Sequence, residues 1–243
     1  MEPPARFRDA LGGATGRGVR VAVIDTGWDR SLADPRVLPG AGFVSPDGDF
    51  SLAASDDDHD RLGHGTACAS LVLRLAPGAE IVPIRVFGGR LETSAEVLVA
   101  AVEWAADQAL PLVSLSLGTR LESARAPLLA ACERAVRAGA TLVATAPNRA
   151  APPYPAAFPQ VIGVDADRFP SPWHFRYRPA DAIECTASGH EQRLPWLRGR
   201  EEVKSGSSFA TPHITGIIAL ILERHPGAPP ARIREILARL ALR

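Results

Sequence analysis

Short apolar runs that alternate with longer amphipathic stretches constrain the fold of this chain most strongly. Five runs rich in valine, leucine and alanine have the continuous hydrophobicity of strands buried on both faces. They cover residues 19–25, 79–87, 112–117, 140–146 and 161–164. Apolar residues recur at helical spacing over residues 64–75, 93–108, 121–138, 209–225 and 230–242. This alternation predicts an α/β fold in which helices cover both faces of a parallel sheet.

The composition excludes several classes of protein. The chain has 243 residues, with 27 Lys and Arg against 27 Asp and Glu, and a net charge of zero does not attract nucleic acid or anionic membranes. It contains no apolar run of roughly 20 residues, as a spanning helix would need, and no signal-peptide core at its start. Three cysteines argue against a disulfide framework. We therefore expect a cytoplasmic protein with one domain, residues 1–243, and no nucleic-acid or membrane partner. The oligomeric state is not predicted.

Three separated segments supply an acid, an imidazole and a hydroxyl. Asp25 ends the first predicted strand, at the edge of a parallel sheet where ligands bind. His64 and Ser208 each stand at the start of a predicted helix. A serine hydroxyl needs a base within hydrogen-bond reach, histidine has a suitable pKa, and a carboxylate orients the imidazole. The N-terminus of the helix at Ser208 favours negative charge, so an oxyanion formed there would be stabilised.

The order Asp25, His64, Ser208 and the residues around each of them resemble the subtilisin-like serine proteases, the subtilase family. The resemblance implies a three-layer α/β/α sandwich with a mostly parallel sheet of about seven strands. It also implies hydrolysis of peptide bonds in a peptide or protein substrate. In that chemistry Ser208 is the nucleophile, His64 the general base and Asp25 the acid that orients it.

The resemblance extends to segments that would bind substrate. The strand that pairs with substrate and the wall of the substrate pocket correspond to Ser116, Leu117, Gly118, Ala146 and Pro147. The segment ending at Asn148 is similar to the family's Ala-Ala-Gly-Asn, which puts the oxyanion-hole side chain on Asn148 beside the backbone N–H of Ser208. Pro147 replaces a glycine that is common in the family, so we expect the pocket wall to differ there.

Metal and cofactor sites are not predicted. The helix at His64 leads directly into Leu75–Gly78, where secreted subtilases carry a calcium-binding insertion, so tight calcium binding is not expected and only weak binding stays open. No Cys or His spacing is typical of a zinc site. An inhibitory pro-domain, usual in secreted subtilases, is also not apparent in the sequence.

Two features near His64 leave alternatives open. Cys68 lies one helical turn after the histidine and is either a small buried hydrophobe or, as in thiol-sensitive subtilases, a site whose mercuration inhibits. The acidic run at residues 56–60 is a solvated loop, an acidic rim that favours Arg or Lys near the scissile bond, or a weak cation site.

The sequence thus predicts a serine endopeptidase that carries out limited processing of an intracellular precursor or leader peptide. Two alternatives remain at this point. One is a peptide cyclase or transpeptidase in which an amine resolves the same acyl-enzyme, and the other is a catalytically impaired relative that binds peptides.

Overall fold

A nine-stranded sheet forms the centre of the computed structural model, which describes residues 2–44, 49–147, 150–179 and 181–242. Within these ranges, the strands of the sheet are β1 (Arg20–Asp25), β2 (Ala41–Val44), β3 (Phe50–Ser55), β4 (Glu80–Arg85), β5 (Leu112–Leu115), β6 (Thr141–Thr145), β7 (Val161–Asp167), β8 (Phe175–Tyr177) and β9 (Cys185–Ser188). The strand order is β3-β2-β4-β1-β5-β6-β7-β9-β8. A separate antiparallel hairpin pairs β10 (Gln192–Pro195) with β11 (Glu201–Lys204).

The seven inner strands of the sheet are parallel, and only the two edge strands, β3 and β8, run antiparallel to their neighbours. This confirms the predicted mostly parallel α/β sheet. The edge strands were not predicted. Antiparallel edges on a parallel sheet are common.

Helices cover both faces and make the three layers that were predicted. The helices are α1 (Ala5–Leu11), α2 (His64–Leu75), α3 (Ala95–Asp107), α4 (Glu122–Arg137), α5 (Ser207–Arg224) and α6 (Pro230–Leu240). One core cluster joins α1, α2, α5 and α6 to the sheet, and a second joins α3 and α4 to the opposite face. None of the helices in the described ranges is long and apolar enough to cross a membrane.

The side chains of β1 show how the two cores share one sheet. Val21 and Val23 pack in the first core, whereas Ala22 and Ile24 pack in the second. Successive side chains of a strand point to opposite faces, so a strand covered on both sides must be apolar at every position. The run ends at Asp25, which is therefore the first carboxylate that the strand presents at the carboxyl edge of the sheet.

Candidate active site

The fold brings Asp25, His64 and Ser208 into one hydrogen-bonded chain. His64 Nδ1 lies 2.8 and 2.9 Å from the two carboxylate oxygens of Asp25. Nε2 of the same ring lies 3.1 Å from Ser208 Oγ. Asp25 is fully buried and the side chain of His64 is 12 % exposed. These distances are those of a base held between an orienting carboxylate and a hydroxyl.

Close backbone approach holds α2 against the end of β1. A Cβ atom on Gly65 would stand 2.4 Å from the carbonyl oxygen of Gly27, so only glycine fits in this first turn. The N–H of Gly65 donates to Thr26 Oγ1 at 2.7 Å, and the N–H of Thr26 donates to Asp25 Oδ1 at 2.7 Å. His64 and Asp25 are thereby fixed relative to each other by backbone contacts as well as by their own hydrogen bond.

Opposing effects set the protonation of His64. Burial alone would lower the pKa of the imidazole, but the adjacent Asp25 carboxylate outweighs it and raises the pKa well above 6.5. The carboxylate also fixes the proton on Nδ1, which leaves Nε2 to face Ser208 as the acceptor in the neutral ring.

The thiol of Cys68 lies beneath the imidazole, as predicted from its position one helical turn after His64. Its Sγ is 3.8 Å from His64 Nδ1 and 3.5 Å from the carbonyl oxygen of Ser208. Burial raises the pKa of this thiol, so it is protonated at neutral pH. Ligand atoms of Asp25, His64 and Cys68 all lie within 4.8 Å of one another.

The N-terminus of α5 presents Ser208, the candidate nucleophile. Ser208 lies in the first turn, where backbone N–H groups have no partner within the helix and the helix dipole is positive. Thr145, the last residue of β6, donates from Oγ1 to Ser207 Oγ at 2.8 Å and ties this helix end to the sheet. Sequence reasoning missed the role of Thr145. The predicted oxyanion residue Asn148 lies outside the described residues.

Two cavities meet at Ser208. The inner cavity, about 440 Å³, is lined by His64, Phe87, Leu91, Glu92, Thr93, Ser94, Ala95, Leu98, Ser116, Leu117, Gly118, Thr119, Leu121 and Ser208. The side cavity, about 590 Å³, is lined by Ser116, Leu117, Gly118, Thr119, Arg120, Thr145, Pro147, Pro153, Gly206, Ser207 and Ser208. Ser208 lines both cavities, and their volumes fall within the range of ligand-binding pockets.

Four of the five candidate substrate-binding residues line a cavity beside Ser208, and one does not. Leu117 and Gly118 line both cavities, and Pro147 lines the side cavity. Ser116 also lines both, but its hydroxyl donates to the carbonyl oxygen of Ser208 at 3.1 Å and so supports the nucleophile. Ala146 is fully buried and lines neither cavity.

The acidic run supports the backbone near His64, and neither the solvated-loop nor the acidic-rim interpretation fits Asp58 and Asp60, whose carboxylates are buried. Asp60 is buried and accepts from the N–H of Gly63 at 2.7 Å and from Thr66 Oγ1 at 2.7 Å. Asp58 is buried against Arg30. Asp57 pairs with the fully buried Arg85 at 2.8 Å and with Arg61 at 3.0 Å. Buried carboxylates persist when they are paired in this way.

An Asp-His-Ser arrangement on a mostly parallel α/β sheet is the geometry found here, and the sequence comparison gives the family. The Subtilase family, Peptidase_S8, matches residues 16–242, and the chain belongs to this family. It is 33% identical to the thermostable alkaline protease of Halalkalibacterium halodurans over 92% of this chain and 62% of that protein. It is 29% identical to subtilisin E of Bacillus subtilis over 92% of this chain and 60% of that protein. The chain thus spans about three fifths of these relatives.

Solved structures confirm the subtilisin-like fold. Sphericase superposes with a TM-score of 0.78 at 24% identity, covering 98% of this chain and 89% of that one. A cold adapted subtilisin-like serine proteinase superposes with a TM-score of 0.75 at 24% identity, covering 93% and 83% of the two chains.

Proposed function

We propose that this chain is a serine endopeptidase that hydrolyses peptide bonds in peptide or protein substrates. The observation that carries the proposal is the unbroken path of hydrogen bonds from Asp25 through His64 to Ser208 Oγ. In the proposed mechanism Ser208 attacks the scissile carbonyl while His64 Nε2 takes its proton. The imidazolium then gives that proton to the leaving amine, and Asp25 stabilises the charged ring and holds its tautomer.

The oxyanion is proposed to form at the N-terminus of α5. The backbone N–H of Ser208 and the helix dipole favour negative charge there. Asn148 stays the proposed side-chain donor on the strength of its sequence motif. Each such donor contributes on the order of a hundred- to a thousand-fold to the rate.

The substrate is proposed to lie along the chain that follows β5. Leu117 and Gly118 line both cavities on either side of Ser208, and a Cβ on Gly118 would come within 2.7 Å of the carbonyl oxygen of Tyr154. An extended peptide can pair with exposed backbone there while its alternate side chains enter the cavities. The Pro147 ring would close one wall of the side cavity.

The physiological task is proposed to be limited processing of an intracellular precursor or leader peptide in the cytoplasm. Cys68 and Cys132 are buried thiols without a disulfide, which suits a reducing compartment. The proposed reaction uses no cofactor. Only residues 76–79 separate α2 from β4, which leaves no room for a calcium-binding insertion at that place.

A fluorophosphonate probe tests the proposed function directly. We expect it to label Ser208, because the reagent reacts with a serine that is activated by a base. Peptide mapping should place the label on Ser208 in the wild type and in a Ser205→Ala control. Mass spectrometry of a peptide substrate should then give two linear fragments. A product lighter by one water would instead identify a cyclase, and absence of label would identify a peptide-binding relative.

A mercury reagent tests whether modification of Cys68, the thiol beneath the His64 ring, blocks hydrolysis. We expect one equivalent of a mercury reagent to abolish hydrolysis, because a metal on Cys68 Sγ displaces the ring that lies 3.8 Å away. Residual activity against added equivalents measures the effect. Cys68→Ala should be resistant, while Cys132→Ala should stay sensitive. Full activity of the enzyme mercurated at Cys68 would refute this prediction.

A further inference from the structure

Exposed apolar side chains cluster on one side of the molecule. Large hydrophobic residues that are exposed in the described part of the chain are Phe50, Leu52, Leu91, Leu121 and Val203. Leu91 and Leu121 line the inner cavity, and Leu52 projects from β3 on the same face of that strand as Phe50. Four of the five, all except Val203, therefore lie near the inner cavity and β3. An exposed apolar cluster of this kind is typical of an interaction surface.

A further cavity of about 470 Å³, the outer cavity, lies within this cluster between α3 and α4. Its lining is Leu52, Thr93, Ser94, Ala95, Glu96, Val99, Ala100, Glu103, Leu121, Ser123, Ala124 and Pro127. Leu52 is 63 % exposed and Leu121 is 59 % exposed, so both offer apolar surface to a ligand. Burial of such surface is the main favourable contribution to peptide docking.

The outer cavity continues the groove that begins at the triad. The inner cavity, which contains His64 and Ser208, shares Thr93, Ser94, Ala95 and Leu121 with the outer cavity. A polypeptide held at Ser208 can therefore extend past Leu121 into the outer cavity without leaving the surface. This continuity favours a more distant part of the same polypeptide as the occupant.

The Glu side chains that line this groove give its lining a negative charge. Glu96 and Glu103 line the outer cavity and Glu92 lines the inner one, whereas neither lining, as far as the chain is described, includes a Lys or Arg. Glu96 and Glu103 are seven residues apart on α3, hence on one face of the helix. The nearby Arg134 side chain is engaged with Asp107 and the backbone carbonyl of Glu103. The groove is complementary to a cationic ligand.

We propose that the outer cavity binds a segment of the substrate remote from the scissile bond, in which an apolar side chain stands beside Lys or Arg. The apolar side chain contacts Leu52 and Leu121, and the basic one faces Glu96 and Glu103. The inference deepens the proposed function and rests on it for the identity of the ligand as a substrate. Binding at the outer cavity would select substrates by a segment remote from the scissile bond, as limited processing requires.

The test measures binding to the full chain carrying Ser208→Ala, by fluorescence anisotropy, so that turnover does not enter. A short peptide occupies the groove at the triad, and two longer probes add a flexible spacer and Leu-Arg at its N-terminal or C-terminal end. Matched probes carry Ser-Glu in place of Leu-Arg. We expect one Leu-Arg probe to bind about tenfold more tightly than its Ser-Glu partner, a difference of about 1.4 kcal/mol.

Variants then locate the contact. Glu96→Gln with Glu103→Gln should reduce that gain by about 1.5- to fivefold, as expected for exposed charge pairs, and Leu52→Ser should also reduce it. Glu133→Gln, on the exposed surface of α4, and Val203→Ser, on β11, are the matched controls and should leave the gain intact. None of these exposed positions is needed for folding, and each variant's thermal unfolding checks this.

Other outcomes decide between the inference and the function on which it rests. Equal affinity for the Leu-Arg and Ser-Glu probes, or equal losses in the controls, would overturn the inference. Self-association of the chain that Leu52→Ser abolishes would also overturn it, since a second copy would then occupy the cavity. If the probes select Leu-Arg through Glu96 and Glu103 but the active chain cleaves no peptide, the site stands and the endopeptidase proposal fails.

Discussion

Ser208→Ala is expected to lower kcat for peptide hydrolysis by on the order of a million-fold, the scale seen when the serine of subtilisin is removed. The reason is geometric: Ser208 Oγ is the hydroxyl that lies 3.1 Å from His64 Nε2 in the described structure, so no covalent acyl-enzyme forms without it. Steady-state hydrolysis of a chromogenic peptide measures the loss, with active-site titration of the wild type as the reference.

A residual rate is also expected in Ser208→Ala, because the helix N-terminus and substrate binding remain. Such a remnant exceeds the uncatalysed reaction by roughly 10³- to 10⁴-fold. Ser205→Ala is the matched control, since it removes an exposed hydroxyl three residues earlier, and it should retain wild-type kcat. Comparable losses in the two variants would show that the loop before α5, and not the nucleophile, had been disturbed.

Asp25→Asn is expected to lower kcat by about 10⁴-fold while the protein stays folded. The asparagine side chain keeps the volume of the carboxylate, but its amide cannot stabilise the imidazolium and favours the wrong tautomer of His64. Asp25 is fully buried and its carboxylate lies 2.8 Å from His64 Nδ1, whereas the only other group described near that nitrogen, the neutral thiol of Cys68, is 3.8 Å away and carries no charge to replace it. Rates measured with Asp167→Asn, an exposed carboxylate outside the triad, provide the control.

The pH dependence separates this effect from simple misfolding. Because Asp25 raises the pKa of His64, wild-type kcat/KM should increase with pH through a value well above 6.5, where the base becomes neutral. In Asp25→Asn the midpoint of this pH profile should move to lower pH, because burial lowers the pKa of the imidazole and the largest contribution that raises it is gone. An unchanged midpoint in the variant would contradict the assignment of His64 as the base.

The same shift affects stability with a defined sign. In the unfolded chain the imidazole has an ordinary pKa near 6.5. The folded value is higher, so the ion pair with Asp25 contributes fully below about pH 6.5 and is lost as pH rises through the folded pKa of His64. Alkaline conditions therefore favour catalysis while they remove this part of the stability.

The sequence predicted the triad and its supporting elements because each is a strong local signal. β1 is a continuous apolar run, α2 and α5 have clear apolar patterns, and the three functional residues stand at their ends. By contrast, β3 was missed because nearly all its side chains are exposed, so it shows no buried run. Its place in the sheet comes from backbone pairing with β2, which the side-chain pattern does not record.

The acidic run was misinterpreted for a different physical reason. Its charges look solvated when only neighbouring residues are considered, yet Arg30 and Arg85, which pair with Asp58 and Asp57, are each 28 residues distant in the chain. Thr145 was missed in the same way, because its partner Ser207 is 62 residues away. Partners of this kind are set by tertiary packing, so the local sequence carries no sign of them.

The sequence separations within the triad have a consequence for biosynthesis. Asp25 and His64 are 39 residues apart, and His64 and Ser208 are 144 apart, so Ser208 leaves the ribosome well after the other two. A nascent or partly folded chain holds an acid and a base but no hydroxyl between them. Contacts between residues so far apart in the sequence slow folding, because the intervening loop must close before they form. Under the proposed function, hydrolysis therefore begins only once Ser208 has joined Asp25 and His64 in the folded domain.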